Sequence, residues 1–307
     1  MEEKRKVVRN QKDTVFRMLY RDKKELLALY NALNGTDYQN PEELETYTLE
    51  NAIYMAVKND VSFLLGSELN LYEHQASFSP NMPLRDLLYI SRQLEKYIRT
   101  KSLYSAGLTK IPVPRFVVFY NGSRKQPERQ ILKLSDAFEK PVDDPELELK
   151  VLMLNINAGN NSELMEKCRT LKEYSEYVAC VRAYAGKEKI EDAVEHAVTE
   201  CIQRGILSDF LTAQRSEVVA MSIFEYNEEE EMRKIREAEY ELGLEAGRSE
   251  GKAEAILVLL GDLGEVPKEL HDRIIQVQDQ EVLSEWLKLA AKAESIEDFV
   301  KGIPKDF

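Results

Sequence analysis

Apolar residues recur every three or four positions near the start of the chain and again after a run of prolines. This spacing is typical of amphipathic helices. Residues 13–34 predict a helix with Asp13 as its N-cap, a short break near residues 19–24 and Gly35 as its stop. Residues 84–99 predict a second helix whose apolar side carries Leu84, Leu87, Leu88, Ser91, Leu94 and Ile98.

Between these two helices the pattern changes to short runs that are rich in Val, Ile, Leu, Phe and Tyr. Three short strands are predicted over residues 50–58, 60–65 and 68–78. Further strands are predicted at residues 115–120 and 147–157, which are apolar at nearly every central position and so are expected to be buried on both faces. The order of elements predicts a mixed α/β domain with a central sheet.

The signal for strands ends near residue 160, and helical spacing follows. We therefore expect an α/β domain over residues 1–160 and three further regions. These are a helical extension at 161–224, an acidic segment at 225–254 and a small helical tail at 255–307 around Trp286. In the acidic segment, Gly243, Gly247 and Gly251 would share one helix face, either for close helix approach or as a flexible joint; a partly disordered tether is the alternative.

The net charge of −13 is unevenly distributed along the chain. Residues 1–140 carry a net charge of +4, whereas residues 225–307 carry −11. The N-terminal part can therefore face a polyanion, although a basic start can also simply solubilise a helix. Two basic clusters are Lys4, Arg5, Lys6, Arg9 and Lys12, and Arg115, Arg124, Lys125 and Arg129.

Composition excludes several other classes of protein. There is no apolar run near the roughly 20 residues that a membrane-spanning helix needs, and no secretory signal is expected, so the expected location is the cytoplasm. Three cysteines without a CxxC pair argue against a disulfide scaffold, and three scattered histidines argue against a histidine-based metal cage.

The second and third predicted strands are joined by Gly66-Ser67, a good two-residue hairpin turn because glycine supplies the positive φ that such turns need. If these two residues form the loop, Leu65 pairs with Glu68. Counting outward along the hairpin from that pair fixes which residues of the two strands lie opposite each other.

This register places Asp60 opposite Glu73, with Gln75 on the same face because side chains alternate along a strand. Two carboxylates so close repel unless a cation lies between them or one takes a proton. All-oxygen ligands suit Mg²⁺ or Mn²⁺, which can polarise a phosphodiester and activate water. The alternative is an exposed hairpin face whose acids bind nothing. His74 would point to the opposite face, as a packed histidine.

The run LYEHQASFSPNMPLRDLLYISRQLEKYI at residues 71–98 resembles the recombination-promoting nuclease (Rpn) family, which includes transposase-like proteins and has the restriction-endonuclease-like PD-(D/E)XK fold. The opening DTVFRMLY and the run GILSDFLTAQRSEVVAMSIF are also similar to this family. The resemblance implies a metal-dependent DNA endonuclease that hydrolyses phosphodiester bonds in recombination, transposition or conflict with mobile elements and phages.

The resemblance also implies roles for individual residues. Asp60 and Glu73 would bind Mg²⁺ or Mn²⁺, and Gln75 would lie where the wider superfamily has Lys. A carboxamide cannot supply the charge of an ammonium group. The hairpin register places Lys58 opposite Gln75, so Lys58 is one candidate for that charge; a solvated strand end is the alternative.

Four further residues are candidates for supporting roles. Asp13 would add a carboxylate or cap its helix. Ser77 would bond a phosphate or Gln75. Arg85 and Tyr89 lie one helical turn apart, and Arg85 would pair with a carboxylate or a DNA phosphate.

The predicted partner is DNA, contacted mainly by Lys4, Arg5, Lys6, Arg9 and Lys12. A homo-oligomer through the helical C-terminal region would allow both strands to be cut. The alternative function is a catalytically degenerate nuclease fold that binds DNA or a protein partner. An RNA nuclease would use the same site.

Overall fold

The structure is a computed structural model that describes residues 14–46, 60–101, 103–104, 106–277 and 279–303, apart from some side chains of one long helix. The described residues form a mixed α/β protein. None of their helices is long and apolar enough to cross a membrane.

The described strands are β1 Glu45–Thr46, β2 Val61–Leu65, β3 Glu68–Gln75, β4 Val113–Tyr120, β5 Arg129–Lys133 and β6 Lys150–Asn155. They form one sheet in the order β1-β2-β3-β4-β6-β5. The pairs β1–β2, β2–β3 and β5–β6 are antiparallel, whereas β3–β4 and β4–β6 are parallel. The predicted strand at residues 50–58 lies outside the described residues.

The described helices are α1 Val15–Leu19, α2 Lys23–Asn34, α3 Met82–Ile98, α4 Ser162–Lys167, α5 Arg169–Ala185, α6 Ile190–Arg204, α7 Ser208–Ala213, α8 Arg215–Gly261, α9 Lys268–Gln276, α10 Gln280–Ala290 and α11 Ile296–Gly302.

The first predicted helix is confirmed, with its break, as α1 and α2. Its N-cap is Thr14, whose side chain accepts a hydrogen bond from the backbone N–H of Arg17. The prediction of Asp13 as the cap was therefore wrong by one residue, and Asp13 itself lies outside the described residues. Gly35 ends α2 in the left-handed conformation, with φ of 64°, as its sequence position predicts.

The hairpin register is also confirmed. Leu65 pairs with Glu68 and Val61 pairs with Tyr72. Gly66 in the turn has φ of 59°, a conformation that favours glycine.

Each face of the sheet has its own hydrophobic core. Phe63, Tyr72 and Phe119 point towards α1, α2, α5 and α6. Leu71 and Val118 point towards α3. This alternation follows from the strand period of two residues, and it places Ser62, Glu73 and Gln75 on the α3 face.

Two strands went unpredicted. β1 lies in a segment whose sequence is typical of a loop, and β5 is a partly exposed edge strand with charged ends, Arg129 and Lys133. Burial of β4 on both faces is confirmed only towards its end, because Val113 and Arg115 are exposed.

The chain divides into two compact units, residues 1–229 and 230–307. In the first unit, the helices after residue 161 share the core of α1, α2 and the sheet, through residues such as Leu171, Val198 and Val218. The second unit has a separate core around Trp286, with Leu283 buried and Leu287 and Leu289 packed against it, as predicted.

The acidic segment at residues 225–254 is helical and belongs to α8. A Cβ added at Gly243, Gly247 or Gly251 would meet nothing within 4 Å among the described residues. Among the described residues, therefore, these glycines do not mark a close helix approach.

Candidate functional site

The candidate site lies where the hairpin ends and α3 begins. Asp60 precedes β2, and its Oδ2 accepts a hydrogen bond of 2.7 Å from the backbone N–H of His74. Extending the hairpin register by one residue pairs Asp60 with Glu73. The predicted meeting of these two acids is therefore supported by the backbone, and Asp60 also holds the end of β3 in place.

Glu73 is the most deeply buried carboxylate of the hairpin and is 3% exposed. Its Oε1 has no hydrogen-bond partner among the described residues. Burial, and then the charge of Asp60, raise the pKa of Glu73 well above its usual range, while Arg85 acts in the opposite direction. A buried carboxyl oxygen without a donor is costly, so this position favours a bound proton or a cation.

Arg85 is the described cation that contacts Glu73. Its Nη2 lies 3.7 Å from Glu73 Oε2 and donates to the hydroxyl of Tyr89 at 3.3 Å. Arg85 and Tyr89, which helical spacing placed one turn apart, are therefore in contact. Arg85 reaches a carboxylate, one of its two predicted partners.

Gln75 completes this group of side chains. In the amide orientation that satisfies its neighbours, its oxygen accepts from Arg85 Nη1 at 3.2 Å and its nitrogen donates to the backbone carbonyl of Ser77 at 3.1 Å. Ser77 therefore contacts Gln75 through its main chain, whereas the sequence pointed to its hydroxyl.

Asp86 is a site residue that the sequence analysis missed. It is 1% exposed, and its Oδ1 has no hydrogen-bond partner in the described structure. Burial raises the pKa of Asp86 to about 7, although Arg85 lowers it. Helical spacing gave no signal for it, because the buried side of α3 carries Asp86, Tyr89 and Gln93. The predicted apolar side was wrong, since Leu84 and Leu88 on it are 46% and 43% exposed.

His74 lies on the opposite face, as predicted. Its ring stacks on Phe16 with the centroids 5.2 Å apart, and its Nε2 lies 3.0 Å from the hydroxyl of Tyr174. Burial lowers the pKa of His74 to about 4, so the ring is neutral near pH 7 and belongs to the core.

The other candidates are only partly described. Lys58, Asp13 and the N-terminal cluster of Lys4, Arg5, Lys6, Arg9 and Lys12 lie outside the described residues. In the second basic cluster, Arg115 is engaged by Glu68 at 2.8 Å. Arg124 and Lys125 are exposed on the loop after β4, which joins the end of β3 through the hydrogen bond from Asn121 N to Gln75 O.

A groove of about 1300 Å³ lies along the first half of β4 and is lined by Pro114, Arg115 and Phe116. Asp60, Glu73, Gln75 and Arg85 do not line it. The described residues contain no group of three or more His, Cys, Asp or Glu side chains that could hold a metal ion. The candidate site therefore offers two carboxylates and an amide, not an all-protein cage.

Comparison of the chain with protein-family models, curated proteins and solved structures found no match.

Proposed function

We propose that this protein is a metal-dependent DNA endonuclease with a restriction-endonuclease-like core. The observation that carries the proposal is the placement of Asp60, Glu73 and Gln75 at one end of the β2–β3 hairpin, on the face covered by α3. The sequential order of α2, the antiparallel strands, α3 and the parallel strand β4 supports the same reading.

The residues present fit a hard divalent ion. Asp60 and Glu73 offer oxygen ligands, and Glu73 Oε1 is buried without a donor among the described residues. Mg²⁺ and Mn²⁺ commonly use one or two carboxylates and complete their shell with waters and substrate phosphate oxygens. A third protein carboxylate is therefore not required.

A bound divalent ion would polarise the phosphodiester and lower the pKa of a nearby water. Asp60 and Glu73 would hold that ion. In the reaction, an oxygen from water bonds to phosphorus and the bond from phosphorus to one ester oxygen breaks. The departing oxygen takes a proton, which leaves a phosphomonoester and an alcohol.

The proposed DNA-binding surface includes the loop after β4. Arg124 and Lys125 are exposed there, and the Tyr120 hydroxyl donates to the carbonyl of Arg124 at 2.6 Å. This loop lies at the same end of the sheet as Gln75, because Gln75 pairs with Tyr120. Lysine and arginine contacts of this kind bind phosphates without reading sequence.

The test uses two conservative variants, Asp60→Asn and Glu73→Gln. Asparagine retains an oxygen that can accept from His74 N, so Asp60→Asn removes the charge but keeps the backbone contact. We expect the wild type to nick supercoiled plasmid with Mg²⁺ or Mn²⁺ and not with EDTA. Each variant should cut at least about 100-fold more slowly, equivalent to about 3 kcal/mol of transition-state stabilisation.

Glu68→Gln is the matched control. Glu68 lies on the same strand but on the opposite face, where it accepts from Arg115 and from Tyr30. Its variant should cut like the wild type. Cutting that survives EDTA, or equal cutting by Asp60→Asn, would contradict the proposal. DNA binding without cutting would favour the degenerate binding module, and preferential cutting of an RNA substrate would identify a ribonuclease.

A further inference from the structure

Arg85 lies between a buried carboxylate and solvent. Its side chain is 34% exposed, whereas that of Glu73 is 4% exposed. Arg85 forms an ion pair with Glu73 at 3.7 Å, which is too long for a close hydrogen bond. The two closer contacts of Arg85 are to neutral groups, Gln75 and Tyr89. Arg85 is therefore held near Glu73 but not fixed to it.

Glu73 cannot be equally close to two cations without cost. A divalent ion bound to Glu73 would repel the guanidinium and replace it as the neutralising charge. Arg85 would keep its contacts with Gln75 and Tyr89, and its charge would be available on the solvent side. A phosphate approaching the site would meet that charge.

We propose that Arg85 is the catalytic cation of this site: it neutralises Glu73 when no metal ion is bound, and it contacts the phosphodiester when one is bound. The inference rests on the proposed function. It assigns to Arg85 the positive charge that Gln75 cannot supply, and for which the sequence analysis considered Lys58.

Gln75 is then a positioning residue. Its amide oxygen accepts from Arg85 Nη1 at 3.2 Å, and its amide nitrogen is held by the Ser77 carbonyl at 3.1 Å. An amide in this place orients the guanidinium, which can form two parallel hydrogen bonds to phosphate oxygens. The guanidinium of Arg85 on α3 would thus supply the charge that the wider superfamily supplies with a lysine at the position of Gln75.

The experiment measures metal binding and cutting separately in the full-length chain carrying Arg85→Gln. Binding of Mn²⁺ is followed through the electron paramagnetic resonance signal of the free ion, without DNA. We expect at least about threefold tighter Mn²⁺ binding, because the competing cation is gone. Single-turnover cutting at saturating Mn²⁺ should fall by about 100-fold or more, as expected when a transition-state charge partner is removed.

Two further variants make the result specific. Arg92→Gln removes the same charge two turns further along α3, and we expect it to change neither measurement. Arg85→Lys keeps the charge but loses the paired hydrogen bonds, so its cutting rate should lie between those of the wild type and Arg85→Gln. Thermal unfolding followed by circular dichroism establishes that each variant is folded.

Weaker Mn²⁺ binding together with slower cutting in both folded Arg85 variants would overturn the inference, since Arg85 would then only build the site. Unchanged cutting by Arg85→Gln would also overturn it. These outcomes differ from failure of the proposed function, in which the wild type itself neither binds Mn²⁺ nor cuts DNA.

Discussion

At the scale of single residues, the central fact is the burial of a carboxyl group. Glu73 is 3% exposed, and an ionised carboxylate in such a place is costly unless a cation compensates it. Arg85 compensates in part, from 3.7 Å. Because burial removes water from the Glu73 carboxylate, it favours the binding of a cation beside it.

His74 shows the opposite case, a titratable residue used for packing. Between its unfolded pKa of about 6.5 and its folded value of about 4, the unfolded state takes up the proton first. Stability contributed by the neutral ring is therefore lost as the pH falls through this window, by at most about 1.4 kcal/mol per pH unit.

We predict that His74→Gln is less stable than the wild type at pH 7.5 by about 1–2 kcal/mol, because the stacking on Phe16 is lost. The difference in stability should narrow at pH 5. Only the wild type loses stability there, because its unfolded state binds a proton at His74 that its folded state does not. Urea unfolding at the two pH values measures both differences.

His196→Gln provides a control of opposite sign. Nδ1 of the exposed His196 donates to the carboxylate of Glu188, which raises the pKa of His196. The contribution of this pair is therefore present below the unfolded pKa and lost at higher pH. The deficit of this variant should therefore grow at pH 5. A His74→Gln deficit that also grows would contradict the assignment of a neutral, packed ring.

At the scale of elements, the end of β4 holds the end of β3. Gly122 approaches β3 so closely that an added Cβ would lie 2.2 Å from the backbone oxygen of Ala76 and 2.6 Å from Tyr120 Oη. Ala76 lies between Gln75 and Ser77 in the sequence. Its close packing against Gly122 therefore fixes the position of the segment that carries both residues.

We predict that Gly122→Ala destabilises the protein by at least about 2 kcal/mol, because backbone must move to admit the methyl group. Urea unfolding measures the loss. Gly107→Ala is the control, since a Cβ there meets no atom of the described residues within 4 Å. Equal stability of the two variants would show that the loop is not held by this contact.

The sequence predicted the hairpin well because one glycine, Gly66, sets the turn and the turn sets the register. It placed Glu73 and Gln75 on one face, but it could not choose between a carboxylate and a DNA phosphate as the partner of Arg85, because the rotation of α3 over the strand depends on packing across the sheet. Periodicity identified α3 as a helix but not the side that it buries, so it gave no reason to single out Asp86. Edge strand β5 was not predicted, because its exposed charged ends, Arg129 and Lys133, leave too few apolar residues for a strand pattern.

At the scale of the whole molecule, the candidate site lies in the first unit, whereas most of the net negative charge lies in the second. The two cores of the first unit draw on residues 15–223, and the core of the second on residues 253–303. Residues 230–307 carry 19 acidic and 11 basic side chains, so a chain ending at Glu229 has a net charge of −5 where the full chain has −13.

We predict that the chain ending at Glu229 unfolds cooperatively and binds Mn²⁺ within about twofold of the full chain, because its cores and site are complete. It should bind a DNA duplex several-fold more tightly in 50 mM salt with Ca²⁺, since less negative charge repels the phosphates. The gain should shrink at 200 mM salt, where charge interactions are screened. Fluorescence anisotropy measures the affinities. Weaker DNA binding by the shortened chain would instead show that residues 230–307 contribute to DNA binding, directly or by pairing two copies.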